Sequence, residues 1–142
     1  KYAKKFKINN IFVKYSTRRS FENRSLKLLK KNNIDLICLA GFMKILSNYF
    51  ITKFYKPIVN IHPSLLPKYK GLNTHVRAIQ NKDEYSGATV HIVNDKVDSG
   101  KIILQKKVKI LKSDNGKSLE KKVLKVEHKL YPKAIIRLLT SS

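Results

Sequence analysis

The residues best suited to chemistry are Asn60 and His62, separated only by Ile61. Side chains alternate along a strand, so the two project from one face, roughly 7 Å apart. An amide N–H stabilises a developing oxyanion and an imidazole moves a proton near neutral pH, so the pair suits acyl chemistry. A structural pair satisfied by loop backbone has the same spacing, and spacing alone favours that plainer alternative. The second candidate is Asp98, within Asp95-Lys96-Val97-Asp98-Ser99-Gly100. An Asp in a turn usually caps local backbone donors. Its functional alternative is a carboxylate that orients a nearby His ring and favours the protonated form. His75 and His91 have no companions at metal-ligand spacing, and a single Cys cannot complete a zinc site. The chain contains no nucleophile elbow, P-loop or Gly-rich dinucleotide fingerprint. Cys38, inside an apolar run, reads as a core residue rather than a nucleophile.

These residues need elements to hold them. Ile58-Val59-Asn60-Ile61-His62 reads as a strand ended by Pro63, which puts Asn60 and His62 at its C-terminal end. That is the end where open α/β sheets bind ligands. Upstream, Arg19 to Lys31 carries Phe21, Leu26, Leu28 and Leu29 amid charges, the pattern of an amphipathic helix. Ile34 to Ala40 is a nearly continuous apolar run, as in a strand buried on both faces of a parallel sheet. Ser47 is placed to cap a helix running to about Tyr55, and Thr74 another over Val76 to Asn81. Thr89 to Val93 alternates in strand fashion, Asn94 to Gly100 is turn-rich, and Ile102 to Ile110 is a further β-like run. Ser118 to Leu139 reads as a long helix, bent near Pro132. This order predicts one α/β domain over residues 1–142, with a largely parallel sheet flanked by helices.

Composition narrows the class. The 142 residues are 42% hydrophobic and 28% charged, the balance of a soluble globular domain. No apolar run approaches the roughly 18 residues that would span a membrane. The basic stretch Lys1 to Lys7 leads into no apolar signal segment. One cysteine permits no internal disulfide, so the expected setting is the reducing cytoplasm. The net charge of +22 invites a nucleic-acid or membrane-surface reading. The Lys residues, however, are spread along the whole chain, as compositional drift produces, whereas nucleic-acid modules concentrate Arg and aromatics in a stripe. No specific nucleic acid and no membrane partner is expected. The first residue is Lys and the only Met is Met43, which suggests a fragment or a processed chain.

Several blocks resemble the phosphoribosylglycinamide formyltransferase family. Ala40-Gly41-Phe42-Met43-Lys44-Ile45-Leu46 is similar to that family's AGFMRIL segment. Asn60 to His75, NIHPSLLPKYKGLNTH, looks like its central signature. Gly87-Ala88-Thr89-Val90-His91 with Val97-Asp98-Ser99-Gly100, then Glu127-His128 with Tyr131-Pro132, follow in family order. The resemblance implies a Rossmann-like formyltransferase fold lacking its first strands and its Gly-Ser-rich phosphate loop.

The same resemblance implies direct formyl transfer from 10-formyltetrahydrofolate to the amine of glycinamide ribonucleotide in purine biosynthesis, with no metal. Asn60 would bind the formyl oxygen, His62 would act as general acid, and Asp98 would tune His62. Met43, Lys44, Ile45 and Leu46 would line the pterin pocket, together with backbone from Val93 to Asp98. Arg18 would meet the folate's glutamate tail, and Glu127 the ribose hydroxyls. A monomer or homodimer is expected, and without the phosphate loop the chain alone would bind ribonucleotide poorly. Lys44 departs from the family's usual Arg. Methionyl-tRNA formyltransferase would have Ala-Ala-Pro in place of Leu72-Asn73-Thr74-His75, and formyltetrahydrofolate deformylase would have an NIHHSFLP-like loop. A basic nucleic-acid-binding protein accounts for the charge but not for the blocks.

Overall fold

The computed structural model describes residues 2–141, so the two ends of the expected 1–142 domain, Lys1 and Ser142, lie outside the described residues. The elements run α1 (Tyr2–Lys5), α2 (Arg18–Lys31), β1 (Ile37–Leu39), α3 (Asn48–Phe54), β2 (Ile58–His62), α4 (Thr74–Gln80), β3 (Tyr85–Ile92), β4 (Ile102–Lys109) and α5 (Gly116–Thr140). From α2 onward their order is the alternation that the hydrophobic periodicity predicts, and α1 stands outside that prediction.

The strands form one sheet in the order β1-β2-β3-β4. β1 pairs with β2 in parallel, but β2–β3 and β3–β4 are antiparallel. The expected mostly parallel sheet is therefore corrected to a mixed one among the described residues. The misreading has a physical cause. β3 is buried over Ser86–His91, and the residue pattern of a buried strand does not state which way its neighbours run. The run Ile34 to Ala40 is corrected too: only Ile37–Leu39 is strand, none of it is fully buried, and Cys38 is exposed rather than core. β1 lies at the sheet's edge, with β2 on one side only.

Two apolar clusters hold the layers. Val59, Ala88 and Val90 of the sheet pack with Leu119, Val123, Leu130 and Ala134 of α5. The α5 residues lie four or seven apart, along one face of the helix. Leu46, Phe50, Phe54 and Ile58 form the second cluster, where α3 packs by β1 and β2. Burying a Leu- or Phe-sized side chain stabilises by roughly 1.5–3 kcal/mol relative to leaving it exposed.

Caps fix where the helices begin. Ser47 accepts the Phe50 N–H at 3.2 Å, as its position predicts. Its own N–H and hydroxyl donate to the buried Glu22 carboxylate at 2.7 and 2.6 Å, which locks α2 to the start of α3. Asn115 and Ser118 form a reciprocal capping box for α5. α4 begins two residues earlier than expected: Thr74 is its first residue, and the cap moves to Asn73, which is in left-handed conformation without a side-chain bond. α5 runs through Pro132 unbroken. From its middle, the Tyr131 hydroxyl reaches the Leu39 and Val59 carbonyls at 2.7 and 3.0 Å. Burial pushes that phenol far above its usual pKa, so it remains a donor. One side chain thus ties α5 to the C-terminal end of β1 and to the first half of β2.

Candidate active site

β2 carries Asn60 and His62 to its C-terminal end, and β3 lies antiparallel beside it with His91 directly opposite Asn60. The turn between β3 and β4 folds back and presents Asp98 with φ of 45°. These segments meet at one carboxylate. Asp98 Oδ2 lies 3.4 Å from His62 Nδ1, and Oδ1 lies 3.5 Å from His91 Nε2. The Gly71 N–H donates to Oδ2 at 2.8 Å. The structure therefore brings together Asn60, His62 and Asp98.

The two histidines are fixed by their second nitrogens. His91 Nδ1 faces the Ile92 carbonyl at 2.9 Å, which makes Nδ1 a donor. Its Nε2 then accepts from Asn60 Nδ2 at 3.5 Å when neutral, or donates to Asp98 when protonated. His62 Nε2 faces the Tyr69 carbonyl at 2.8 Å. Both nitrogens of His62 thus face oxygen acceptors, and the ring satisfies both only when it carries two protons. For Asp98, burial acts to raise the carboxyl pKa. The His91 hydrogen bond, the Gly71 amide and the imidazole charges of His62 and His91 outweigh burial and hold it below the usual carboxylate range. The ionised carboxylate is the form these donors select.

A cleft of about 1010 Å³ opens over this cluster and is lined by Asn60, His62, His91 and Asp98. Met43, Lys44, Ile45 and Leu46 form part of its wall, as does the Val93–Asp98 segment. Met43, Ile45 and Val97 are exposed large apolar side chains, a surface suited to a flat ring. Glu127 lines the same cleft from α5. Burial raises its pKa, against the attraction of His128 and in concert with the repulsion of Glu120. Arg18 does not line the cleft; it is exposed at the first position of α2.

Sequence reasoning set His91 aside because it lacked metal-ligand companions. The signal that finds it is register: once β3 is placed antiparallel to β2, His91 falls opposite Asn60. The backbone contributions of Tyr69 and Gly71 have no side-chain signature at all. His75 also lines the cleft, and its Nδ1 is buried without a partner. Burial pushes its pKa down, against the attraction of Glu120, with His62 adding to the lowering. Among the described residues, no helix is long and apolar enough to cross a membrane.

The model for the family described as formyl transferase matches residues 2–135. Among curated relatives, a phosphoribosylglycinamide formyltransferase of Haemophilus influenzae is 51% identical over 102 residues, 72% of this chain and 48% of the relative. A trifunctional purine biosynthetic protein adenosine-3 of Chironomus tentans is 45% identical over 121 residues, 85% of this chain and 9% of the relative. The solved phosphoribosylglycinamide formyltransferase of Brucella melitensis superposes with a TM-score of 0.90 at 38% identity, covering 99% of this chain and 73% of that one. The chain thus spans about half the length of the bacterial relative (48%) and a small part of the insect one (9%).

Proposed function

This chain belongs to the formyl transferase family, and on that premise we propose that it carries the catalytic part of a phosphoribosylglycinamide formyltransferase. The reaction moves a formyl group from 10-formyltetrahydrofolate to the amine of glycinamide ribonucleotide, a step of purine biosynthesis. The carrying observation is the His62–Asp98 contact beside Asn60, on the floor of a cleft with apolar walls.

The amine nitrogen attacks the formyl carbon, and the carbonyl becomes a tetrahedral oxyanion. Asn60 donates its amide N–H to that oxygen. His62 acts as general acid, and its Nε2–H exchanges the Tyr69 carbonyl for the formyl oxygen. As the oxygen gives its proton back to His62 and the carbonyl re-forms, the bond from the formyl carbon to folate N10 breaks and its electron pair goes to N10. Asp98 keeps His62 oriented and takes the proton that leaves the amine, directly or through a water, for delivery to N10. The chemistry uses no metal.

Met43 to Leu46 form one wall for the pterin, with Lys44 at the rim, and Val93 to Asp98 form the other. Arg18 contacts the folate's glutamate tail from α2. Glu127 meets the ribose hydroxyls. The protein works in the cytoplasm on small molecules, as a monomer or homodimer. A formyl-transfer assay on the native gene product that carries this chain tests the reading. Folate consumption should depend on glycinamide ribonucleotide. Release of formate at the same rate without that amine would overturn the reading in favour of a hydrolase.

A further inference from the structure

The loop between β2 and α4 serves the catalytic pair through backbone alone. The Tyr69 carbonyl holds His62 Nε2 at 2.8 Å, and the Gly71 N–H holds Asp98 at 2.8 Å. Yet Tyr69, Gly71 and Asn73 all have positive φ (54°, 75° and 58°). Left-handed backbone costs a non-glycine residue roughly 1–2 kcal/mol, so local preference does not select this loop shape. Something outside the loop must hold it.

At Lys70 and Leu72 that hold comes from Arg77, in α4. Its Nη1 donates to the Lys70 carbonyl at 2.9 Å and reaches the Leu72 carbonyl at 3.4 Å. Its guanidinium carbon lies 4.9 Å from the centre of the Tyr69 ring. The far edge of that ring is anchored as well, because the Tyr69 hydroxyl donates to Asp83 at 2.9 Å. The Lys70 carbonyl and the Gly71 N–H are the two ends of one planar peptide unit. The guanidinium therefore grips one end of a rigid plate whose other end donates to Asp98. A cation on the carbonyl also polarises the unit and strengthens its N–H as a donor.

We propose that Arg77 is a positioning residue for the transfer reaction, acting on Asp98 through the Lys70–Gly71 peptide. Arg77 does not line the cleft, so it acts without touching substrate. Lys cannot replace it, because an ammonium lacks the planar donor fork and the flat face for Tyr69. The proposal rests on the formyl-transfer reading for its kinetic consequence, but its structural core is measurable without turnover.

The test compares Arg77→Ala and Arg77→Lys in the native gene product. By NMR, the Gly71 amide proton should move upfield and exchange faster in both variants. The kcat for formyl transfer should fall about tenfold, while KM for the folate stays within twofold. Methylguanidine should restore part of the loss in Arg77→Ala. In an Asp98→Asn background, Arg77→Ala should cost little more, since the peptide then has no anion to serve. An unchanged Gly71 amide, or kcat losses that multiply in the double variant, would overturn the proposal. If Arg77→Ala fails to fold, Arg77→Lys alone decides through the Gly71 amide. A protein with no transferase activity but a Gly71 amide that responds to Arg77 would sink the functional reading and leave the clamp standing.

Discussion

His62 Nδ1 lies 3.4 Å from Asp98 Oδ2, and that same oxygen accepts the Gly71 N–H at 2.8 Å. Asp98→Asn keeps the size of the side chain but removes the charge that three donors address. Formyl transfer is expected to fall by roughly 10²–10⁴-fold, the range for a positioned proton-transfer group. Folate affinity, read by calorimetry, should stay within a few fold because Asp98 is one wall residue among many. Near-normal turnover in this variant would remove Asp98 from the mechanism.

Asn60 tests a different step. If its amide stabilises the oxyanion, Asn60→Ala should lower kcat by roughly 10²–10³-fold and leave KM nearly unchanged. A rise in KM with kcat preserved would instead mark Asn60 as a ground-state binder. Steady-state kinetics with both substrates varied separates the two outcomes.

How much of this was legible beforehand follows from the range of each interaction. The cap at Ser47 and the α5 stripe of Leu119, Val123 and Leu130 are local, and local patterns survive in sequence. The alternation that puts Asn60 and His62 on one strand face is local for the same reason. Asp98 is distant in sequence, and spacing alone left it a turn residue; only the resemblance joined it to His62. His91 and the antiparallel course of β3 depend on pairing, which a strand's own residue pattern does not encode. Glu22 reads as part of a polar helix face, yet it is buried because it caps a neighbouring helix. The loop backbone at Tyr69 and Gly71 depends on Arg77, a contact no motif announces.

Acid stability isolates a charge outside the Asn60–His62–Asp98 cluster. Asp114 is held at about 2, below its reference value of 3.8, chiefly by Lys122, then by the Leu111 amide and the Ser118 hydroxyl. A depressed folded pKa means that the ionised carboxylate stabilises the fold above the unfolded pKa. That contribution is lost as pH falls from about 3.8 towards 2. In urea unfolding, wild type should therefore exceed Asp114→Asn in stability at pH 5. The gap should close as pH approaches 2. A gap that is constant across this window would mean that Asp114 acts through shape rather than charge.

Gly87 joins the sheet to the catalytic loop. A Cβ at this position would lie 2.1 Å from the Lys106 carbonyl and 2.7 Å from Leu65 Cδ2. The first neighbour is β4 backbone and cannot retreat without breaking the ladder, so β3 or Leu65 must shift. Leu65 sits between Ser64, whose carbonyl accepts from the Thr89 hydroxyl at 2.6 Å, and Leu66, whose N–H donates to Thr89 at 3.1 Å. A push there is carried along the loop that begins just after His62. Gly87→Ala should therefore lose roughly 1–3 kcal/mol, the usual cost of overpacking, seen as a lower urea midpoint at unchanged slope. Gly41→Ala is the control. Its Cβ meets nothing within 4 Å, so only the strain of φ +64° remains. If Gly87→Ala unfolds at the wild-type midpoint, the close approach of β3, β4 and Leu65 is wrong, and with it the path by which the sheet fixes the loop.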